Sequence, residues 1–169
     1  MGSLTKVGLA LSIAGLMFFV YMQYKQNVVG VVPVENTSDI SVGEFTNLVS
    51  FTIGRISMLG SIADTDAERT QGLSDTKEIP IGVAKVFIFD SSEKWSFWMK
   101  DMNYSIDIFW LDENGTVVHV VESVTPDTYP DTSFAPSVPA RYVIETKAGF
   151  AKENNIGVGA VVNVAPFSR

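Results

Sequence analysis

The run Ile106-Asp107-Ile108-Phe109-Trp110-Leu111 carries one carboxylate among apolar residues and ends on Asp112-Glu113-Asn114-Gly115. Asn-Gly accepts the positive φ angles of a type I′ turn, so a tight hairpin into Thr116–Val124 is expected. Just upstream, Trp95–Lys100 reads as a further strand. Its alternation puts Trp98 and Lys100 on one face and Trp95, Phe97 and Met99 on the other. A Trp, a Lys and a lone Asp therefore sit on apolar strands, where a packed core would take neutral side chains. A chain with these segments at short spacing is committed to a mainly antiparallel sheet.

The rest of the chain fits that frame. Phe51-Thr52-Ile53 and Ile56–Ala63 are strand-like, with Gly54-Arg55 as a tight connection. Thr65 followed three residues later by Glu68 makes a capping box, and Gly72 stops the short helix as a left-handed cap, with Leu73 folding back onto it. Val83–Phe89 is nearly continuous in apolar residues, as a central strand covered on both faces would be. Pro126, Pro130, Pro136 and Pro139 mark a long irregular loop carrying Tyr129 and Phe134. Arg141–Thr146 reads as a strand, Ala148–Asn155 as a short helix and Ala160–Val164 as a closing strand. The expected fold is α+β, a mainly antiparallel sheet or partial barrel with two short helices.

An uncharged run, Val7–Met22, precedes all of this. As a helix its 16 residues span about 24 Å, and Leu4 to Tyr24 crosses a bilayer if Lys6 snorkels. No small-residue exit site follows Val20, so a signal anchor is expected rather than a cleaved leader. Residues 1–6 would be a cytoplasmic N-terminus, 7–24 the transmembrane anchor, 25–48 a stalk and 49–166 the domain. Lys6 and Lys25 balance across the span. All 19 acidic residues lie beyond position 25. The expected orientation puts the domain on the extracytoplasmic side of the cell membrane, as a single-pass protein.

Composition excludes several chemistries. With no cysteine there is no disulfide framework, thiolate nucleophile or cysteine-ligated zinc. His119 is alone in an apolar strand, and no carboxylate spacing suggests a metal; neither a metal nor another cofactor is expected. A net charge of −7 argues against nucleic acid as a partner.

Glu68-Arg69-Thr70-Gln71-Gly72-Leu73, Phe97-Trp98-Met99-Lys100, Ile106-Asp107-Ile108-Phe109-Trp110, and Tyr142-Val143-Ile144-Glu145-Thr146-Lys147-Ala148-Gly149 occur in that order. This set resembles the family of domain of unknown function 192, from roughly Thr52 to Val164. The resemblance places Arg69, Trp98, Lys100, Asp107 and Glu145 on motif positions. The chain departs from the pattern at Ser74, at Ala84-Lys85-Val86-Phe87 and at Lys100-Asp101-Met102. A carboxylate at Asp107 needs a cationic or hydrogen-bonding partner, and Arg69, Lys100 and Arg141 are the available cations. Arg141 and Glu145 share a strand face with Val143 between them. These residues predict a cleft lined by Arg69, Trp98, Lys100, Asp107 and Arg141 that binds a small or glycan-like ligand. One alternative is a hydrolase pairing Asp107 with Glu122 or Asp101. The other is an interaction module presenting the Pro-rich loop to an envelope protein, with an exposed apolar patch around Tyr129 and Phe134.

Overall fold

The computed structural model describes residues 42–167. The expected anchor at 7–24, the N-terminus before it and most of the expected stalk lie outside the described residues. Among the described residues, no helix is long and apolar enough to cross a membrane. Six strands form one mixed sheet: β1 (Leu48–Ile53), β2 (Ile56–Ala63), β3 (Val83–Glu93), β4 (Ile106–Leu111), β5 (Val117–Val124) and β6 (Ala140–Lys147). Their spatial order is β1-β2-β3-β6-β4-β5. Only β2 and β3 pair in parallel, because the chain between them crosses over through a helix, α1 (Asp66–Gln71). The second helix, α2, spans Phe150–Asn154.

Both faces of the sheet are covered, which explains why β4 is buried at all six positions. One face packs Val83, Phe87, Ile108, Trp110 and Val143 against Leu73 and Met99. The opposite face packs Val86, Phe109, Leu111 and Ile144 against Ala151, Ile156 and Phe167. Thus α1 with the Trp95–Met102 segment closes one side, and α2 with the C-terminal segment closes the other. Burying both faces requires an uninterrupted apolar run in the central strands, and Val83–Phe89 and Ile106–Leu111 supply it.

Several local expectations hold in detail. The Gly54-Arg55 connection is present between β1 and β2. Thr65 Oγ1 accepts from the Glu68 amide, and Glu68 Oε2 accepts from the Thr65 amide at 3.0 Å, completing the capping box. The Thr65 hydroxyl and amide hold the Glu68 carboxyl down at about 2. Gly72 does end α1, but not as the expected left-handed cap: at φ 50 and ψ −121 it lies outside the left-handed helical well, in a region only glycine enters freely.

Other expectations are corrected. Trp95–Lys100 is an extended loop with one bridge, Phe97 to Phe134, since among the described residues no strand lies alongside it. Its alternation still survives: Trp95, Phe97 and Met99 face the core while Trp98 and Lys100 face out. The β4–β5 turn is not type I′. The Gly115 amide donates to the Asp112 carbonyl and Asp112 Oδ1 accepts from the Asn114 and Thr116 amides, which makes a type I turn with only Gly115 at positive φ. Ala160–Val164 is not a ladder strand. Val161 bridges Thr116 and Val162 bridges Ile53, so two residues touch both edges of an otherwise open sheet in place of a barrel wall. Phe45 and Leu48, inside the stretch expected as stalk, are buried in the core.

Candidate functional site

A cavity of about 320 Å3 opens between α1 with the turn after it, β3 and the Trp95–Lys100 segment. Its position follows from how that segment is pinned. Trp110 Nε1 donates to the Trp95 carbonyl at 2.9 Å, and Phe97 exchanges both backbone hydrogen bonds with Phe134. Ser74 Oγ donates to the Lys100 carbonyl, and the Asp75 amide to the Asp101 carbonyl. With Met99 driven into the core, Trp98 can only point outward, and it is 59% exposed at the cavity rim. Lys100 lies on the same rim.

Arg69 forms one wall, and its role is largely to hold that wall in place. Its NH1 donates to the Asp64 carbonyl at 2.6 Å and to the Ile88 carbonyl at 2.8 Å, tying α1 to β3. Its NH2 pairs with Asp66, the one ion pair among the described residues. The guanidinium also sits 5.4 Å above the Phe89 ring, which stacks on Trp95 at 3.9 Å.

The floor holds Glu145, which the sequence reading placed on a motif but not in the cleft. It is 5% exposed, and its carboxyl has no hydrogen-bond partner among the described residues. Burial pushes it up to about 8, with nearby Lys85 acting in the opposite sense. Lys85 is the register partner of Glu145 across β3 and β6. Burial lowers the Lys85 ammonium from its ordinary value, partly offset by Glu68 and Glu145. At neutral pH the floor therefore presents a protonated carboxyl, able to donate as well as accept a hydrogen bond. Beside it, burial raises the Tyr104 hydroxyl to about 12, and that hydroxyl lies 2.6 Å from Thr76 Oγ1.

The structure places Arg69, Trp98 and Lys100 around one cavity, and leaves Asp107 and Arg141 out of it. Asp107 lies on the opposite sheet face, with Phe109 and Leu111. It is completely buried and accepts three backbone amides: Ser123 at 2.7 Å, Gly149 at 3.2 Å and Ala151 at 2.9 Å. The expected cationic partner is thus replaced by peptide N–H groups. Two of these open α2, and the third comes from a bulge where Ser123 adopts φ 54. Arg141 is half-buried on β6 with its Nε unpaired. Glu122 on β5 and Asp101 in its turn are both exposed. His119 faces Trp110 across the β4–β5 pair, with ring centres 5.3 Å apart. Among the described residues, no group of three or more His, Asp or Glu side chains is placed to hold a metal.

Glu145 carried the same signal that singled out Asp107, a carboxylate inside an apolar strand. What the sequence withheld was its neighbour, because β3 and β6 are distant in the chain.

The architecture has precedents among solved structures. A "putative transcription regulator" from Sinorhizobium meliloti 1021 superposes with a TM-score of 0.64 at 18% identity, covering 73% of this chain and 97% of that one. A protein of unknown function from Novosphingobium aromaticivorans DSM 12444 superposes with a TM-score of 0.66 at 19% identity, covering 77% and 98%. At such identities the likeness is one of fold. No curated protein matches the chain. The model of the DUF192 family, described as "Uncharacterized ACR", matches residues 52–164, the greater part of the chain and nearly all of the sheet, and the chain belongs to that family.

Proposed function

We propose that this domain binds a small, ring-bearing, glycan-like ligand in the cavity between Trp98, Lys100 and Glu145. The observation that carries the reading is the pairing of an indole 59% exposed at the rim with a buried, unpartnered carboxyl on the floor. An exposed Trp face stacks on a pyranose or a flat ring, and Lys100 takes an anionic substituent. The protonated Glu145 meets a hydroxyl that would otherwise lose its water. The reading includes delivery to the extracytoplasmic face on residues 7–24, supported by the apolar run and the acidic balance behind it.

Hydrolysis by a carboxylate pair has less support. Asp107 has its oxygens occupied by backbone amides on the far face of the sheet. A docking role for the Pro-rich loop is weakened in the same way, because Phe134 is drawn inward by its bridge to Phe97. Titrating the isotopically labelled protein with glucose, glucuronate and N-acetylglucosamine tests the binding reading by NMR. Shifts at the Trp98 indole, Lys100 and Gly72 are expected, with Trp98→Ala weakening binding about tenfold, or roughly 1.4 kcal/mol. Shifts confined to other faces, or affinity unchanged in Trp98→Ala, refute it.

A further inference from the structure

A second cavity, of about 470 Å3, lies on the other side of Gly72 from the Trp98 site, and Ser61 and Lys85 sit in its wall. The two residues are direct register partners on the parallel strands β2 and β3. Lys85 Nζ lies 3.3 Å from Ser61 Oγ, within the reach of a nucleophile and its base before substrate tightens the contact. Ser61 is 8% exposed, and Lys85 is half-buried. A lysine in such a place is costly unless its charge is balanced or it sheds its proton. Among the described residues no carboxylate closes on it as an ion pair, although Glu145 on β6 and Glu68 on α1 act on its charge and Glu44, from the segment before β1, lines the same cavity. Thr46 and Asn47 line the same cavity, and their amides donate to no other described residue. Asn47 immediately precedes Leu48, the register partner of Ser61 on β1.

We propose that Ser61 and Lys85 form a nucleophile–base dyad that cleaves an ester or amide whose acyl group enters this second cavity. The neutral Lys85 amine takes the proton from Ser61 Oγ as the oxygen attacks the acyl carbon. The tetrahedral oxyanion is met by the Thr46 and Asn47 amides, donors of the kind that stabilise such intermediates. As the carbon–heteroatom bond breaks, Lys85 returns the proton to the leaving alcohol or amine, leaving an acyl ester on Ser61. Water, deprotonated by Lys85, then releases the carboxylic acid and restores the serine hydroxyl. No oxidant, metal or cofactor enters the balance. Burial holds Lys85 below the ordinary lysine range, so more of the amine is free at a given pH; Glu68 and Glu145 limit that effect. The proposal does not rest on the ligand-binding reading at Trp98.

The test exposes the full chain to a biotinylated fluorophosphonate and maps the adduct by mass spectrometry, beside hydrolysis of p-nitrophenyl acetate. Phosphonylation of Ser61 is expected in the native protein and not in urea. It should vanish in Ser61→Ala, and Lys85→Met should slow it about a hundredfold or more, as loss of a general base does. Lys85→Arg, which keeps the charge but gives up no proton, should be equally slow. Thermal melts of each variant show whether the fold is kept. The labelling rate should rise with pH through an apparent pKa below the ordinary lysine value. The proposal is overturned if Ser61 is unlabelled in the folded protein, if labelling persists in Ser61→Ala, or if a folded Lys85→Met or Lys85→Arg reacts at the native rate.

Discussion

Replacing Glu145 with Gln should stabilise the domain, and by an amount that grows with pH. The wild-type carboxyl is held at about 8 in the folded protein against an ordinary 4.5, because it is buried. Between those values the folded state keeps a proton that the unfolded chain has released. The Glu145 contribution to wild-type stability should therefore be fully present below about pH 4.5, fall by about 1.4 kcal/mol per pH unit through the window, and level off above about pH 8. Across some 3.5 pH units the loss approaches about 5 kcal/mol, and about 3 kcal/mol of it is already present at pH 7. The amide of Gln is neutral throughout and has no such slope. Lys85 acts in the opposite sense at more alkaline pH, where losing its proton relieves a buried charge. Subtracting the two proteins' curves removes most of that contribution. Urea unfolding of both proteins from about pH 5 to pH 9 gives the difference directly. Parallel curves would mean that Glu145 titrates as a solvated carboxyl, and the floor of the Trp98 cavity would then be open to water.

Three further outcomes follow from the packing. Asp107→Asn presents an NH2 group to amides that need an acceptor, and should cost on the order of 2–4 kcal/mol in urea unfolding while leaving binding at Trp98 unchanged. Lost binding with stability intact would return Asp107 to the site. Gly115→Ala places a Cβ against the Val162 carbonyl at a φ of 81, so a loss of about 2–4 kcal/mol is expected from thermal unfolding, and an unchanged melt would show that the Val162 contact is dispensable. Removing residues 1–41 should leave a cooperative melt, whereas removing 1–48 also deletes buried Phe45 and Leu48, each worth about 2–5 kcal/mol. Equal stability of the two truncated proteins would contradict the burial of those side chains.

Local chemistry was readable from the chain wherever one segment decides its own structure. The Thr65–Glu68 box, the Gly54-Arg55 hairpin and the buried runs of β3 and β4 need only neighbours within a few residues. The Trp95–Lys100 segment shows where that reasoning stops. Its alternation fixed which side chains point inward, but a strand also needs a partner ladder, and among the described residues its one bridge is to Phe134. The β4–β5 turn fails in a related way. Asn-Gly permits a type I′ turn, but the Asp112 carboxylate captures two amides and selects type I instead. For Asp107 the sequence offered three cations, and the fold supplied three peptide amides from two distant segments.

The buried polar row across the sheet depends wholly on strand order. Ser61, Lys85 and Glu145 stand beside one another because β2, β3 and β6 are neighbours, an arrangement that consecutive hairpins could not produce. In a plain meander Lys85 and Glu145 would each have faced different strands. Placing a lysine and a glutamate in one row without closing them into an ion pair lets burial oppose both charges, pushing Glu145 up to about 8 and lowering Lys85 from its ordinary value. A neutral carboxyl then opens to the Trp98 cavity, and an amine that holds its proton less tightly than an ordinary lysine opens to the cavity beside Ser61. Because the two groups oppose each other's shifts, a ligand that ionises Glu145 would also draw Lys85 back toward its charged form. Occupancy of one cavity would thus alter the base strength available in the other, through a row of side chains rather than any movement of the backbone.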